Sequence, residues 1–394
     1  MGTNVLYLGL TSLFTDISSE MISTVLPLYL VLYLQLSPLT FGVVDGLYQG
    51  ASALVRVASG VVADRWRQHK HVAAFGYGLS AVCKLGLLGA GSAWGAIAGV
   101  VLLDRTGKGI RTSPRDALIS LSAPQENLGV AFGVHRSLDT AGAMLGPLVA
   151  FGLLSMVPNA FDAVFVASFC AALVGLGIIV IFVENRAPDP AAGGTAFSFR
   201  AAVGLLGGRR FRTIVLAGTV LSLVTMSDNF IYLTLQRRQQ FAGTLIPLLY
   251  TATALIYFVL AVPAGRLADR VGQGRVLLGG YAALLAVYGV LVLPAGGIAA
   301  LLGSVSLLGA YYAATDGVVA ALASGALPAG LRGSGIGLLS TSMSLARLLA
   351  SVLFGVLWTW WGVETAVATF AVGLAAMTAL AAAALSRNEV AVLD

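Results

Sequence analysis

The chain has 394 residues, of which 58% are hydrophobic and only 10% are charged, and its formal net charge is +6. About a quarter of the residues of soluble globular proteins are charged, so this composition excludes that class and indicates a membrane protein. The basic excess does not indicate a nucleic-acid partner, because it is concentrated in one set of predicted loops.

Apolar runs long enough to cross a bilayer recur along the whole chain. A helix needs about 20 predominantly apolar residues to span roughly 30 Å of hydrocarbon. Twelve such spans are predicted, at 5–34, 39–63, 71–91, 94–119, 127–157, 160–183, 213–236, 243–266, 276–294, 297–325, 334–360 and 363–386. The predicted fold class is therefore an all-α integral membrane protein with twelve transmembrane helices.

The basic residues predict the orientation of these spans, because cytoplasmic loops retain Lys and Arg. With the N-terminus inside, the inner loops hold Arg65, Arg67, Lys70, Arg186, Arg200, Arg209, Arg210, Arg212, Arg270, Arg275, Arg332 and Arg387. The outer loops hold only Arg237 and Arg238. Both termini are accordingly predicted to be cytoplasmic.

An internal repeat predicts two halves of six helices each. The segment "GVVADRWRQHK" from Gly60 returns as "GRLADRVGQGR" from Gly265, 205 residues later and at an equivalent point of the second six-helix set. We expect an N-terminal six-helix bundle at 1–184, a cytoplasmic linker with a short surface helix at 185–212, and a C-terminal six-helix bundle at 213–394. Parallel repeats of this kind are typical of secondary transporters with a substrate site near the membrane midplane.

The fourth span carries a stripe of charge. At about 100° per residue, its polar side chains fall within a sector of roughly 140°. These side chains are Asp104, Arg105, Lys108, Arg111, Thr112, Arg115 and Asp116. A charge at mid-membrane costs roughly 3 kcal/mol or more, so the stripe is expected to face protein or water.

Depth divides this stripe into two predicted roles. Arg105 and Lys108 lie too deep to reach the interface easily and are predicted to bind substrate. Arg111 and Arg115 lie nearer the cytoplasmic end, where they either snorkel to the interface or form a gate ion pair with Asp64.

Other spans carry polar residues that predict a cavity walled by both halves. Substrate contacts are predicted at Asn229 and Tyr232 of the seventh span and at Tyr312 and Asp316 of the tenth. The eleventh contributes Ser340, Ser344 and Arg347 to the predicted cavity wall.

Proton coupling is predicted first at Glu20, which follows Asp16 by one turn on the polar face of the first span. Two close carboxylates do not both ionise readily, so one is poised to take a proton. The alternative is that Glu20 is locked in an ion pair with a neighbouring arginine. Asp139, near His135, and Asp228 are the next predicted carriers.

Several motifs resemble those of the major facilitator superfamily. Gly60-x-x-x-Asp64-Arg65 resembles the family's signature between its second and third helices, and Gly265-x-x-x-Asp269-Arg270 resembles the second-half copy of that signature. The resemblance implies a cytoplasmic gate formed by these six residues, with Arg111 and Arg115 as predicted members. Arg105-x-x-x-Gly109 resembles the fourth-helix arginine motif of proton-coupled members.

The fifth span carries a motif that bears on direction. Gly142-x-x-x-Gly146-Pro147 resembles the fifth-helix motif associated with antiporters in this family. Its glycines are predicted to serve close helix packing rather than ligand contact.

Together these features predict a proton-coupled secondary transporter of the bacterial inner membrane that exports small organic compounds by alternating access. Its expected partners are the solute, protons and membrane lipid, with no cofactor, and it is expected to be a monomer. One alternative is proton-coupled uptake of an anionic solute by Arg105 and Lys108. A weaker one is divalent metal export through Asp16, Glu20, His135 and Asp139, although no metal site is predicted.

An enzyme is not expected. The sequence has no G-x-S-x-G, no H-E-x-x-H and no nucleotide-binding P-loop, and it contains only three histidines. Without a P-loop, ATP hydrolysis does not supply the energy, and a proton gradient is the expected driver.

Overall fold

A computed structural model of the chain describes residues 2–124, 127–186, 204–293, 296–328 and 331–390, apart from the side chains of Leu54, Val57, Val61, Asp64 and residues 386–390. Within these ranges the protein is helical and contains no β-strand. The all-α prediction is confirmed.

The described helices follow one another with short connections, except that residues 182–208 separate the sixth from the seventh. They are α1 (Thr3–Pro27), α2 (Pro38–Trp66), α3 (His69–Ala90), α4 (Trp94–Leu121), α5 (Leu128–Met156), α6 (Phe161–Ile181), α7 (Arg209–Leu223), α8 (Asp228–Gln239), α9 (Ile246–Val271), α10 (Gln273–Val292), α11 (Ile298–Ser324) and α12 (Arg332–Val390). A π-helical turn, Leu28–Tyr33, continues α1.

Eight helical stretches among the described residues are long and apolar enough to cross a membrane. The helix α4 is not one of them, because every 18-residue window of it contains more than two charged residues. The protein is a multi-pass membrane protein, and the charged residues in these windows distinguish its fourth helix from the eight apolar stretches.

The seventh predicted span differs from the observed structure. Instead of one helix over 213–236, the chain forms α7 and α8 with a non-helical break at residues 224–227. Tyr288 of α10 satisfies this break, since its hydroxyl accepts from the Met226 N–H at 2.6 Å and donates to the Val224 carbonyl at 3.3 Å. Such internal partners are needed because lipid offers none to exposed backbone groups.

The eleventh and twelfth predicted spans both fall within α12. Gly362 interrupts its helical backbone with φ 83° and ψ 164°. A positive φ favours glycine, which has no Cβ to clash there. The predicted boundary between residues 360 and 363 therefore coincides with a change of backbone conformation.

The chain divides into two compact units. Unit 1 comprises Met1–Leu36, Leu47–Ala196 and Gly243–Thr251, and unit 2 comprises Ser37–Gly46, Phe197–Ala242 and Ala252–Asp394. In unit 1, α1 packs against α5 and α6, and α3 packs against α4 and α6. In unit 2, α10 packs against α11 and α12, and α7 packs against α12.

The predicted linker is only partly described. Residues 187–203 lie outside the described residues, and so does any surface helix predicted there. Leu205–Gly207 forms a single 3₁₀ turn before α7. The sequence-based domain boundaries remain predictions.

Each unit has an apolar cluster at helix ends. In unit 1 it is formed by Val5, Leu8, Ala73, Tyr77, Leu118, Ile119, Ala131, Ile179 and Val183. In unit 2 it is formed by Phe211, Ile214, Val215, Ala323, Leu327, Leu339 and Leu385. These clusters hold the helices that carry the polar side chains of each unit.

Candidate functional site

The deep part of the α4 stripe is a buried ion network. Asp104 accepts from Lys84 of α3 at 2.8 Å and from Arg105 at 2.5 Å. The Arg105 guanidinium also lies 3.7 Å from the centre of the Tyr48 ring in α2. With only 2% of its surface exposed, Arg105 is held by a carboxylate and an aromatic face.

Small residues let α3 and α4 approach closely enough for this network. A Cβ on Gly107 would lie 2.8 Å from the Gly76 carbonyl and 2.6 Å from the Ser80 hydroxyl. Ser80 in turn donates to the Asp104 carbonyl at 3.1 Å. The two helices therefore meet at backbone distance, and Lys84 reaches Asp104 across that contact.

Arg111, a predicted gate residue, is buried in the same interface. It donates to the Ser80 hydroxyl at 2.6 Å and lies 4.9 Å from the centre of the Tyr77 ring. Arg115 donates to the neighbouring Asp116 at 2.9 Å. Both arginines thus have partners within unit 1.

The two signature copies differ in packing. A Cβ on Gly60 would lie 3.2 Å from Ser113 of α4, whereas nothing lies within 4 Å of one on Gly265. Arg65, Asp269 and Arg270 are exposed. The side chain of Asp64, the central residue of the predicted gate, lies outside the described part of the chain.

Lys108 differs from its neighbours on α4. It is half-buried, and its ammonium group makes no hydrogen bond or ion pair with any described residue. It interacts electrostatically with Asp16 and Glu20 of α1. Of the two predicted substrate-binding cations, Lys108 is the one with a free donor group.

Two glycines of α5 allow α1 and α5 to pack closely. A Cβ on Gly146 would lie 2.7 Å from the Ile17 carbonyl, and Gly142 lies against the Leu13 carbonyl in the same way. Pro147 follows within the same buried stretch of α5. The glycines therefore bring the two backbones together, which sets the distance between the polar faces of α1 and α5.

This contact brings two predicted proton carriers together. The carboxyl groups of Asp16 and Asp139 lie close enough to interact. Glu20 instead accepts from the Ser23 hydroxyl at 2.7 Å. Ser12 and His135 form a second polar link between α1 and α5 at 2.8 Å. Asp16 therefore pairs with Asp139 rather than with its sequence neighbour Glu20.

Unit 2 contains a separate polar cluster. Tyr312 of α11 donates to Asp228 of α8 at 2.7 Å. Arg347 of α12 has a buried Nε that finds no hydrogen-bond partner among the described residues. Asp316, one turn after Tyr312, is exposed.

The remaining predicted substrate residues of unit 2 are engaged elsewhere. Asn229 donates to Asp45 of α2 at 2.5 Å, and Ser351 donates to the second oxygen of that carboxylate at 2.6 Å. Tyr232 is fully buried and bonded to the Thr253 hydroxyl at 2.7 Å. These residues hold helices together in this conformation.

Sequence reasoning missed several members of these clusters. Tyr48, Ser80 and Tyr288 gave no signal, because serine and tyrosine are common in membrane helices and their partners lie far away in the sequence. Lys84 was visible as a lone cation in the third predicted span. A buried cation needs an anion, so it could have been matched to Asp104.

Buried charges that face protein inside membrane-spanning helices mark substrate and ion pathways, a feature found in multi-pass transporters. The chain belongs to the Major Facilitator Superfamily, whose profile matches residues 8–243 and 214–392. It is a secondary transporter and not an enzyme.

Two curated relatives support this assignment. An uncharacterized MFS-type transporter of Methanocaldococcus jannaschii is 33% identical over 290 residues, which are 71% of this chain and 70% of that protein. An uncharacterized protein of Mycobacterium tuberculosis is 35% identical over 153 residues, or 39% of this chain and 37% of that protein.

Solved structures share the fold. A mutant of the nucleoside transporter NupG superposes with a TM-score of 0.81 at 15% identity, covering 97% of this chain and 100% of the other. The peptide transporter POT in complex with sulfate gives 0.79 at 15% identity, covering 98% and 95%. At such identities the likeness concerns the fold alone.

Proposed function

We propose that this protein is a proton-coupled secondary transporter of the bacterial inner membrane that exports small organic compounds by alternating access. In this proposal twelve transmembrane helices form two six-helix bundles, and both termini are cytoplasmic. The protein acts as a monomer and needs no cofactor.

The observation that carries the proposal is the close approach of the Asp16 and Asp139 carboxyl groups. A carboxylate only accepts hydrogen bonds, so two carboxyl groups in this position can bond to each other once one of them holds a proton. In this proposal the pair is the proton-binding site on the packed faces of α1 and α5. Because the two groups interact strongly, the proton belongs to the pair rather than to either residue.

Loss of this proton supplies the coupling. Two carboxylates in contact repel each other, which disfavours the arrangement of α1 and α5 in which they touch. A conformation that separates the two groups is then favoured, so proton release shifts the population between states. Glu20, one turn from Asp16 and electrostatically linked to Lys108, is the next proton-binding group in this scheme.

Export of an organic solute is supported by two observations. The fifth-helix motif resembles that of antiporters, and its glycines pack against α1 beside the proposed proton site. The fold is shared with proteins named as nucleoside and peptide transporters, which carry small organic solutes. Metal export has less support, since the described residues contain no group of three or more His, Cys, Asp or Glu side chains placed to hold a metal ion.

Uptake of an anionic solute is the second candidate, favoured by the ammonium group of Lys108, which has no hydrogen-bond or ion-pair partner among the described residues. The lumenal pH of proteoliposomes distinguishes exchange of protons for the solute from movement of protons together with the solute. Vesicles containing a pH-sensitive dye are loaded with benzenesulfonate, benzyltrimethylammonium or uridine and diluted into probe-free buffer. Efflux of a probe should acidify the lumen if protons are exchanged for it, and should make the lumen alkaline if they accompany it.

Asp139→Asn should abolish the pH change, because an amide cannot release the shared proton. The matched control is Asp162→Asn, which changes an exposed carboxylate at the start of α6. Probe efflux without any change in lumenal pH in the unmodified protein would contradict proton coupling.

A further inference from the structure

We infer that Arg347 of α12 binds the anionic group of the transported solute, and that the solute is an organic carboxylate or sulfonate. The inference rests on the proposed function, because it specifies the class of small organic compound carried. It concerns unit 2, whereas the proposed proton site lies in unit 1.

Arg347 presents an unused donor inside the protein. Its Nε is buried and has no hydrogen-bond partner among the described residues. A guanidinium keeps its proton in proteins, and a buried donor without an acceptor is costly. An oxyanion delivered by a ligand would supply the missing acceptor.

The cluster around this group is not fully enclosed. Arg347, Tyr312 and Asp228 are only half-buried, and Asp316 is exposed. Tyr311, Asp316, Tyr312 and Tyr281 lie close to the guanidinium. The surroundings of the guanidinium therefore include polar and aromatic groups.

The break between α7 and α8 lies beside the same cluster. Thr225, within the break, lies beside the Tyr311 hydroxyl, and Asp228, the first residue of α8, accepts from Tyr312. Non-helical backbone at membrane depth occurs where it is packed in protein or lines a cavity, and transporters place substrate sites at such interrupted helices. The position of the break supports a binding site at Arg347.

The charge of the solute is inferred from which polar groups already have a hydrogen-bond or ion-pair partner. Arg105 is committed to Asp104 and to the Tyr48 ring, so it has little to offer a ligand. Asp228 accepts from Tyr312, whereas the Nε of Arg347 donates to nothing described. The planar fork of arginine matches the two oxygens of a carboxylate or sulfonate. Although Asp228 and Asp316 lie near the guanidinium, the unused Nε donor of Arg347 is the group in this cluster that an anion would satisfy.

Isothermal titration calorimetry on the purified full chain tests this with benzenesulfonate, which is anionic at every practical pH. Arg347→Gln should weaken binding by roughly tenfold to a hundredfold, the change expected when a hydrogen bond to a charged group is lost. Arg347→Lys should bind with intermediate affinity, because lysine keeps the charge but not the fork. Arg332→Gln, at the exposed start of the same helix, is the matched control and should bind as the unmodified protein does.

Arg347→Lys is also a control for misfolding, since it preserves the charge. The folding of all variants is compared by size-exclusion profile and unfolding temperature. The inference is overturned if the unmodified protein binds no benzenesulfonate, or if folded Arg347→Gln and Arg347→Lys bind it unchanged. It is also overturned if benzyltrimethylammonium binds instead and Asp316→Asn removes that binding. These outcomes leave proton coupling at Asp139 standing, because the uridine and benzyltrimethylammonium flux experiments test it without an anion.

Discussion

Lys84 of α3 and Asp104 of α4 form an ion pair of 2.8 Å in which the two side chains are 3% and 9% exposed. The other carboxylate oxygen of Asp104 accepts from Arg105. One carboxylate therefore compensates two buried cations. The pair fixes α3 against α4 and keeps the charge of Arg105 inside the protein.

Removing Asp104 should destabilise the protein more than removing Lys84. Asp104→Asn leaves two buried cations without a carboxylate, and breaking a buried ion pair costs about 3–5 kcal/mol. Lys84→Met leaves Asp104 paired with Arg105, so its cost should be smaller. Unfolding temperatures in detergent measure both, and the reverse order would mean that Asp104 is not the shared partner.

Lys108→Gln should behave differently from Lys84→Met, although both remove a lysine from the polar interior of unit 1. Lys108 has no hydrogen bond or ion pair to lose among the described residues. The substitution removes only the longer-range attraction of Lys108 to Asp16 and Glu20, whereas Lys84→Met removes a direct buried ion pair. We expect a smaller loss of stability than in Lys84→Met together with reduced proton-driven efflux, and an equal or larger loss of stability would show that Lys108 is structural.

A methyl group added to α5 tests the glycine contact with α1. In Gly146→Ala the new Cβ would lie 2.7 Å from the Ile17 carbonyl and 2.8 Å from the Glu20 Cβ. Overpacking of this kind costs about 1–3 kcal/mol, and it should also push Asp139 away from Asp16. Gly152→Ala, on the same helix with nothing within 4 Å, is the control and should be neutral. Equal unfolding temperatures for the two variants would refute the close approach.

Tyr288→Phe tests the break between α7 and α8. The change removes the acceptor of the Met226 N–H, and a buried donor without an acceptor costs about 1–3 kcal/mol. Tyr33→Phe, an exposed tyrosine with no hydrogen bond within the described residues, should have no such effect. Faster hydrogen exchange at Met226 in Tyr288→Phe alone is the expected result, and unchanged exchange would mean that the hydroxyl does not hold the break.

The charges of α4 show how far the sequence alone could reach. Their helical spacing indicated that Arg105 and Arg111 face protein rather than lipid, because charge in hydrocarbon is costly at any position. Spacing could not reveal their partners. Tyr48 and Ser80 lie tens of residues away and meet these arginines only through the packing of α2 and α3 against α4.

The prediction of which carboxyl groups lie together was limited in the same way. Asp16 and Glu20 lie one turn apart, so the sequence favoured that pair, whereas the structure joins Asp16 to Asp139. The glycine contact between α1 and α5 determines which carboxyl group lies against Asp16. The fifth-span motif predicted close packing at these glycines but could not identify the partner helix. Likewise, continuous hydropathy over residues 213–236 concealed the break, because Tyr288 satisfies it from another helix.

The measurement that tests the central claim most directly is an infrared titration of the purified protein, following the carbonyl band of protonated carboxylic acids. If Asp16 and Asp139 share a proton, the unmodified protein and Asp162→Asn should keep an acid band after the exposed carboxyl groups have ionised, and Asp139→Asn should lack it. An identical band in Asp139→Asn, or no such band in the unmodified protein, would contradict the account.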